Sequence, residues 1–168
     1  MKDLGEAAYI LGIKIYRDRS RRLIALCQDT YLEKVLKRFK MEDSKKGSLP
    51  TLSGKPLSKK QCPTTVAERE YMSSVPYASA IGSIMYAMIC TRPDVSYALS
   101  VTSRYQSDPG KDHWTAVKTI LKYLRRTKDM FLVYGGDKEL VAKGYTDASF
   151  VTDPNDFKSQ SGYVFILN

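Results

Sequence analysis

Apolar residues recur along this chain at two different periods, and the changes of period mark out its elements. Residues 9–16 and 23–28 are short β-favouring runs on either side of Arg17-Asp18-Arg19-Ser20-Arg21-Arg22, which predicts a hairpin with four arginines at its tip. Leu32, Val35, Leu36 and Phe39 then follow at three- and four-residue steps, the spacing of one helix face. Asp29 or Thr30 can cap that helix, and Lys34, Lys37 and Arg38 fall on its other side. From residue 40 to 69 the period dissolves into Ser44-Lys45-Lys46-Gly47, Leu49-Pro50, Gly54-Lys55-Pro56, Ser58-Lys59-Lys60 and Cys62-Pro63. An aperiodic stretch of that length predicts a cationic, mobile linker or surface segment.

Helical spacing returns after Pro76, where Ala80, Ile81, Ile84, Met85, Met88 and Ile89 make a wide apolar stripe and Gly82 is expected to admit a close neighbour. Thr91-Arg92-Pro93-Asp94 ends this helix and starts another, because proline suits a first turn and disfavours helix at the residue before it. Val95, Ala98, Leu99 and Thr102 face inward on that second helix. Asp108-Pro109-Gly110 is a turn. A third helix is predicted over 112–127, with Trp114, Val117, Ile120, Leu121 and Leu124 inward and Lys118, Lys122, Arg125 and Arg126 on the opposite face. Residues 130–134 and 140–150 then read as strands around the turn Gly135-Gly136-Asp137. Thr152-Asp153-Pro154-Asn155-Asp156 turns the chain into a last strand over 161–167, so a three-stranded meander with an open edge and an apolar face is expected. The class is α+β: hairpin and helix over 1–40, basic linker over 41–75, small helical bundle over 76–128, meander over 129–168.

Composition and charge narrow what such a chain does. With 168 residues, 43% of them hydrophobic, it can bury one sizeable core or two small ones. Lys and Arg number 27 against 18 Asp and Glu, a net charge of +9 whose field attracts polyanions such as nucleic acid. Cys27, Cys62 and Cys90 are odd in number and widely spaced beside a lone histidine, His113, which argues against a zinc site and a disulfide framework. Acids at Asp3 and Glu6 do not suit a secretory signal, and no apolar run is long enough to span a membrane. A soluble, intracellular protein with no membrane partner is expected.

Two groups of residues carry candidate chemistry. Asp147 stands alone in an apolar strand, as either a solvent-facing edge residue or a rigidly held metal ligand of the kind used in two-metal phosphodiester chemistry. Asp153 and Asp156 lie in a turn and read as turn-forming, solvated residues. The cations Lys34, Lys37, Arg38, Lys118, Lys122, Arg125 and Arg126 cluster on single helix faces, as a phosphate-tracking surface requires and as an ordinary solvated face also permits. Tyr71, Tyr77, Tyr86, Tyr97, Tyr105 and Tyr123 are stacking platforms or, more simply, core rim. His113 at a helix start reads as a capping or packing residue.

Five runs, taken in order, resemble the pol polyprotein of Ty1/copia-type LTR retrotransposons. They are Met1-Lys2-Asp3-Leu4-Gly5-Glu6 with Leu11-Gly12-Ile13-Lys14-Ile15; Tyr31-Leu32-Glu33-Lys34-Val35-Leu36-Lys37-Arg38-Phe39; Pro76-Tyr77-Ala78-Ser79-Ala80-Ile81-Gly82-Ser83-Ile84-Met85-Tyr86; Thr91-Arg92-Pro93-Asp94-Val95; and Gly144-Tyr145-Thr146-Asp147-Ala148. The resemblance implies the end of a reverse transcriptase palm with a thumb-like helix, then a connection region, then the first strands of a ribonuclease H. It makes Asp147 that nuclease's first metal-binding aspartate, with Lys158-Ser159-Gln160-Ser161-Gly162-Tyr163 resembling its second strand. It also implies Mg²⁺ in the intact family enzyme, an RNA–DNA hybrid or duplex as ligand, and the rest of a pol polyprotein as partner. The chain departs from the family in having no adjacent Asp pair, the polymerase signature, and in ending at Asn168, before the family's further nuclease acids. A truncated, catalytically incomplete fragment that holds no Mg²⁺ stably is therefore expected. Alternatives are a secreted RxLR-type effector, to whose motif Arg21-Arg22-Leu23-Ile24 and Lys122-Tyr123-Leu124-Arg125 are near misses, and a remnant that never folds.

Overall fold

The computed structural model describes residues 5–52, 54, 56–135, 141–151, 153, 155 and 157–167. The N-terminal hairpin is split in two. The expected strand over 9–16 is broken by Leu11 and Gly12, both at positive φ (50° and 78°), into β1 (Tyr9–Ile10) and β2 (Ile13–Asp18), which pair through Ile10 and Ile13. A two-residue turn with both residues left-handed matches the twist of the flanking strands, and Gly12 supplies half of it without strain. At the arginine-rich tip, Asp18 accepts from the Ser20 hydroxyl (2.6 Å) and the Arg21 amide (3.1 Å) before β3 (Leu23–Cys27) begins.

Helix α1 (Asp29–Arg38) follows, with Leu32, Val35 and Leu36 buried as its spacing predicts. Its N-cap is Gln28 rather than Asp29 or Thr30, and the buried Gln28 amide oxygen accepts from the Thr91 hydroxyl at 2.8 Å instead of capping. Tertiary demand wins over local capping here.

Residues 41–75 contain more regular structure than their sequence suggests. A 3-10 turn (Lys59–Gln61) precedes α2 (Val66–Ser73), whose Thr65 hydroxyl accepts from the Glu68 amide while Glu68 accepts from the Thr64 and Thr65 amides. That reciprocal cap starts a short helix without apolar periodicity. The segment is tied to the bundle where the Gly47 amide donates to Lys122 O (3.0 Å) and where Met41 and Met72 are buried.

The core lies among α1, α3 (Tyr77–Cys90), α4 (Ser96–Ser103) and α5 (Lys111–Arg126), with Ile81, Ile84, Val95, Leu99, Val117, Ile120 and Leu121 nearly inaccessible. The stripe on α3 is narrower than expected: Met85 and Ile89 are exposed, Ala87 takes their place inside, and among the described residues no atom lies within 4 Å of where a Cβ at Gly82 would stand. Tyr77 and Tyr105 are buried, as core-rim residues would be, whereas Tyr71, Tyr86 and Tyr97 are exposed.

Beyond α5 the strands depart from the expected meander. β4 (Leu132–Gly135) pairs antiparallel with β3, completing a sheet in the order β1-β2-β3-β4, while β5 (Ala142–Ser149) and β6 (Gln160–Leu167) form a separate two-stranded hairpin. β4 occupies the second edge of β3, whose Ala25 and Cys27 are buried in the completed sheet. Gly136 and Asp137 of the expected turn, and Asp156, lie outside the described residues. The apolar exposure foreseen at this end is present on the hairpin, at Tyr145, Tyr163, Phe165 and Ile166.

Candidate nucleic-acid interface

The last turns of α1 and α5 open onto one cleft of about 430 Å³. Its cations are Lys37 from α1, Lys46 from the following segment, Arg125 and Arg126 from the end of α5, and Lys128 just beyond it; Glu33, Glu42 and Asp129 also line it. Cations at helix C-termini gain about 0.3–1 kcal/mol each from the backbone dipole, so part of this clustering is explained by helix stability alone. Their convergence from three segments is not. The Lys128 ammonium is bonded to the Glu33 carboxylate, which holds its pKa above the ordinary lysine value.

Of the seven cations singled out in the sequence, the fold brings Lys37, Arg125 and Arg126 to this cleft. Lys34 and Arg38 lie exposed elsewhere on α1, and Lys118 and Lys122 are half-buried along α5, Lys122 beneath the Gly47 segment. Lys46 and Lys128 were not anticipated. The run Arg125-Arg126-Thr127-Lys128 held the signal for the second, and Lys45-Lys46 for the first, within a stretch read only as linker.

The cleft is held in shape by Arg92, whose side chain is 4% exposed. Its Nε and Nη2 donate to Asp94 at 3.0 and 2.8 Å, and Nη1 and Nη2 donate to Thr127 O (3.0 Å) and Oγ1 (2.6 Å). The Tyr123 hydroxyl donates to Asp94 at 2.7 Å beneath the guanidinium. Burial pushes Asp94 upward, but the bonds from Arg92 and Tyr123 outweigh it and hold the carboxyl below its ordinary value. Thr91-Arg92-Pro93-Asp94 therefore fastens the start of α4 to the end of α5, next to Arg125, Arg126 and Lys128.

His113 is fully buried and behaves as the capping and packing residue expected of it. Its Nδ1 accepts from the Gly110 amide (2.9 Å), its Nε2 faces Ser58 O (3.1 Å), and its ring stacks on Tyr105 at 3.9 Å. With Nδ1 accepting, the neutral ring carries its proton on Nε2 and donates to Ser58. Burial lowers its pKa.

Asp147 is exposed on β5, opposite Gly162, in an open cleft with Ser96, Tyr97 and Ser100 of α4 and Ser149, Ser161 and Tyr163 of the hairpin. Among the described lining residues the donors are one carboxylate, neutral hydroxyls and the Gln160 amide. Hard divalent cations in phosphodiester chemistry are held by carboxylates and substrate phosphates, so this donor set does not fit a Mg²⁺ pair. Among the described residues no group of three or more His, Cys, Asp or Glu could hold a metal ion. Asp153 is not among the described residues lining this cleft. It forms the turn but is buried rather than solvated, accepting from Arg104 Nη1 at 3.0 Å and from the Asn155 amide at 2.8 Å. The three cysteines are free thiols, and among the described residues no single helix is long and apolar enough to cross a membrane.

Known proteins place this chain. It is 52% identical, over its whole length, to the retrovirus-related Pol polyprotein from transposon TNT 1-94 of Nicotiana tabacum, of which it spans 13%. To the retrovirus-related Pol polyprotein from transposon RE2 of Arabidopsis thaliana it is 32% identical over 99% of its length, spanning 11% of that protein. A secreted RxLR effector protein (161) of Plasmopara viticola is 46% identical over 58% of the chain and 68% of the effector. No family model matches the chain, and no solved structure does. The order of resembling motifs and the full-length identity to transposon polyproteins agree, and the chain belongs to the Pol polyproteins of copia-type retrotransposons.

Proposed function

We propose that this chain is the part of a Pol polyprotein that grips the backbone of an RNA–DNA hybrid or duplex without performing the chemistry on it. In this reading α1 is thumb-like, α3 to α5 are the connection region of a reverse transcriptase, and β5–β6 begin a ribonuclease H whose first metal-binding aspartate is Asp147. The observation that carries the proposal is the convergence of Lys37, Lys46, Arg125, Arg126 and Lys128 on one cleft. Each phosphate neutralised there releases counterions; with Lys128 held by Glu33, engagement of the four other cations makes log affinity fall against log salt with a slope of about −3.6 for a duplex.

Fluorescence anisotropy of a short labelled RNA–DNA hybrid across a salt series tests this. Lys37→Ala with Arg126→Ala should make the slope shallower by about 1.8. No binding at low salt, or a double variant with the wild-type slope, overturns the proposal. Mg²⁺-dependent hybrid cleavage abolished by Asp147→Asn would overturn its second half. A secreted-effector reading is favoured by the 46% identity to the Plasmopara viticola protein. Against it, Leu124 of the near-miss Lys122-Tyr123-Leu124-Arg125 is buried in α5, where no receptor reads it as a surface motif. Recovery of the chain from the culture medium of expressing cells would revive it.

A further inference from the structure

Helix α3 carries no charged residue along its 14 positions. Its exposed positions are Ala78, Ser79, Gly82, Met85, Tyr86 and Ile89, which recur at three- and four-residue steps and so form one solvent-facing stripe opposite the core. Helix α1 is built the other way, with Glu33, Lys34, Lys37 and Arg38 on its exposed side. The stripe on α3 is graded in size: small residues over the N-terminal half, then Met85, Tyr86 and Ile89, the last 71% exposed. Its bulky end is fixed in place. The Tyr86 hydroxyl donates to Leu11 O in the β1–β2 turn (3.4 Å), its ring meets Tyr31 edge-on at 4.9 Å, and the Tyr31 hydroxyl donates to Ser83 O at 3.0 Å. Ile10, next to Leu11 in that turn, is exposed as well.

From this face we infer that a second copy of the chain docks on α3, the two helices crossing antiparallel about a two-fold axis midway between Gly82 and Met85. A two-fold axis makes a surface meet itself, so the surface must complement its own reverse. This stripe does. In the antiparallel pair Ile89 of one copy stands over Ala78 of the partner subunit, and Met85 over Gly82 of the partner subunit, where no described atom lies within 4 Å of the place a Cβ would take. A parallel pair would set bulk on bulk and hold the small ends apart. Because the stripe is uncharged, no ion on it loses water when the copies meet. Its exposed side chains amount to on the order of 600 Å² per copy, or about 1,200 Å² for the pair, the lower bound of specific interfaces, so a dissociation constant in the micromolar range is expected. Each copy carries a net charge of +9, and salt screens the repulsion between them, so the association tightens as salt rises. Hybrid binding has the opposite sign, and the pairing of α3 does not depend on it.

Sedimentation velocity on the wild type, Ile89→Lys and Gly82→Gln, from about 1 to 200 µM chain at low and high salt, tests this. Gly82→Gln puts bulk at the centre of the stripe, where a monomer has open space among the described residues, and exchanges glycine for a better helix former. At dilution it should melt no lower than the wild type, which separates docking from folding. The expected result is a 19.0 kDa monomer that gives way to a dimer as concentration rises, sooner at high salt, with the dissociation constant raised about tenfold or more in each variant. A wild type that stays monomeric throughout overturns the inference, as does a dimer that salt weakens or that either variant leaves at wild-type strength. A monomeric wild type whose hybrid affinity falls in Gly82→Gln would assign the face to nucleic acid and overturn it too.

Discussion

Arg92→Met isolates the clamp that joins α4 to α5. Methionine keeps most of the packing volume and removes every donor, so four hydrogen bonds at 2.6–3.0 Å are lost, two to Asp94 and two to Thr127. Breaking a buried ion pair from one side costs about 3–5 kcal/mol when the other charge is stranded. Asp94 is more than a third exposed and keeps the Tyr123 hydroxyl, so water recovers part of that cost. The Thr127 carbonyl and hydroxyl recover less. A net loss of about 2–4 kcal/mol follows, or roughly 4–16 °C in unfolding temperature for a chain of this size. Arg92→Lys should recover only a minor share, since an ammonium cannot bridge a carboxylate and the Thr127 oxygens as a planar fork does. Urea and thermal unfolding followed by circular dichroism measure this, and a single cooperative transition in the wild type would also dispose of the idea of a remnant that never folds. A loss below about 1 kcal/mol in Arg92→Met would refute the reasoning, because it would place the clamp within the range of ordinary surface substitutions.

Three further outcomes follow from local geometry. His113 is lowered by burial, so the unfolded chain binds its proton more readily than the folded one; stability is full above about pH 6.5 and falls as the pH drops toward the folded value. The wild-type urea midpoint should therefore decline between neutral and mildly acidic pH, and His113→Gln should flatten that part of the decline; equal pH dependence in both would count against a neutral ring bridging Gly110 and Ser58. Leu11 is 87% exposed in a left-handed conformation, and Leu11→Asn should raise stability by about 0.5–1 kcal/mol, visible as a higher melting temperature. Gly135 has φ +98°, and a Cβ there would lie 2.0 Å from Arg22 O, so Gly135→Ala should cost about 1–3 kcal/mol and speed amide exchange across β3 and β4.

Much of the helical half could be read from spacing, and the reasons for the exceptions are physical. Leu32, Val35 and Leu36, and likewise Val117, Ile120, Leu121 and Leu124, are buried as a 3.6-residue period requires. Met85 and Ile89 occupy the same phase on α3 yet face outward, because apolarity on nearly every side of that helix left its inner face undetermined. The pairing of β4 with β3 was not legible, since nothing local distinguishes one strand's open edge from another's. For the candidate interface, the cations of α1 and α5 stood out individually, but their meeting at one cleft depends on helix packing. Arg92 was read as part of a helix punctuation, and only the fold reveals its bonds to Thr127, 35 residues away.

The β3–β4 pairing has a consequence for synthesis. Leu26 meets Leu132 only after all the helices of the intervening stretch have left the ribosome, so an apolar, unpaired strand edge waits while α1 to α5 are made. During that interval a neighbouring chain already extended past Gly135 offers β3 an identical substitute for β4. This topology therefore leaves β3 open to strand exchange between copies for as long as elongation to Gly135 takes.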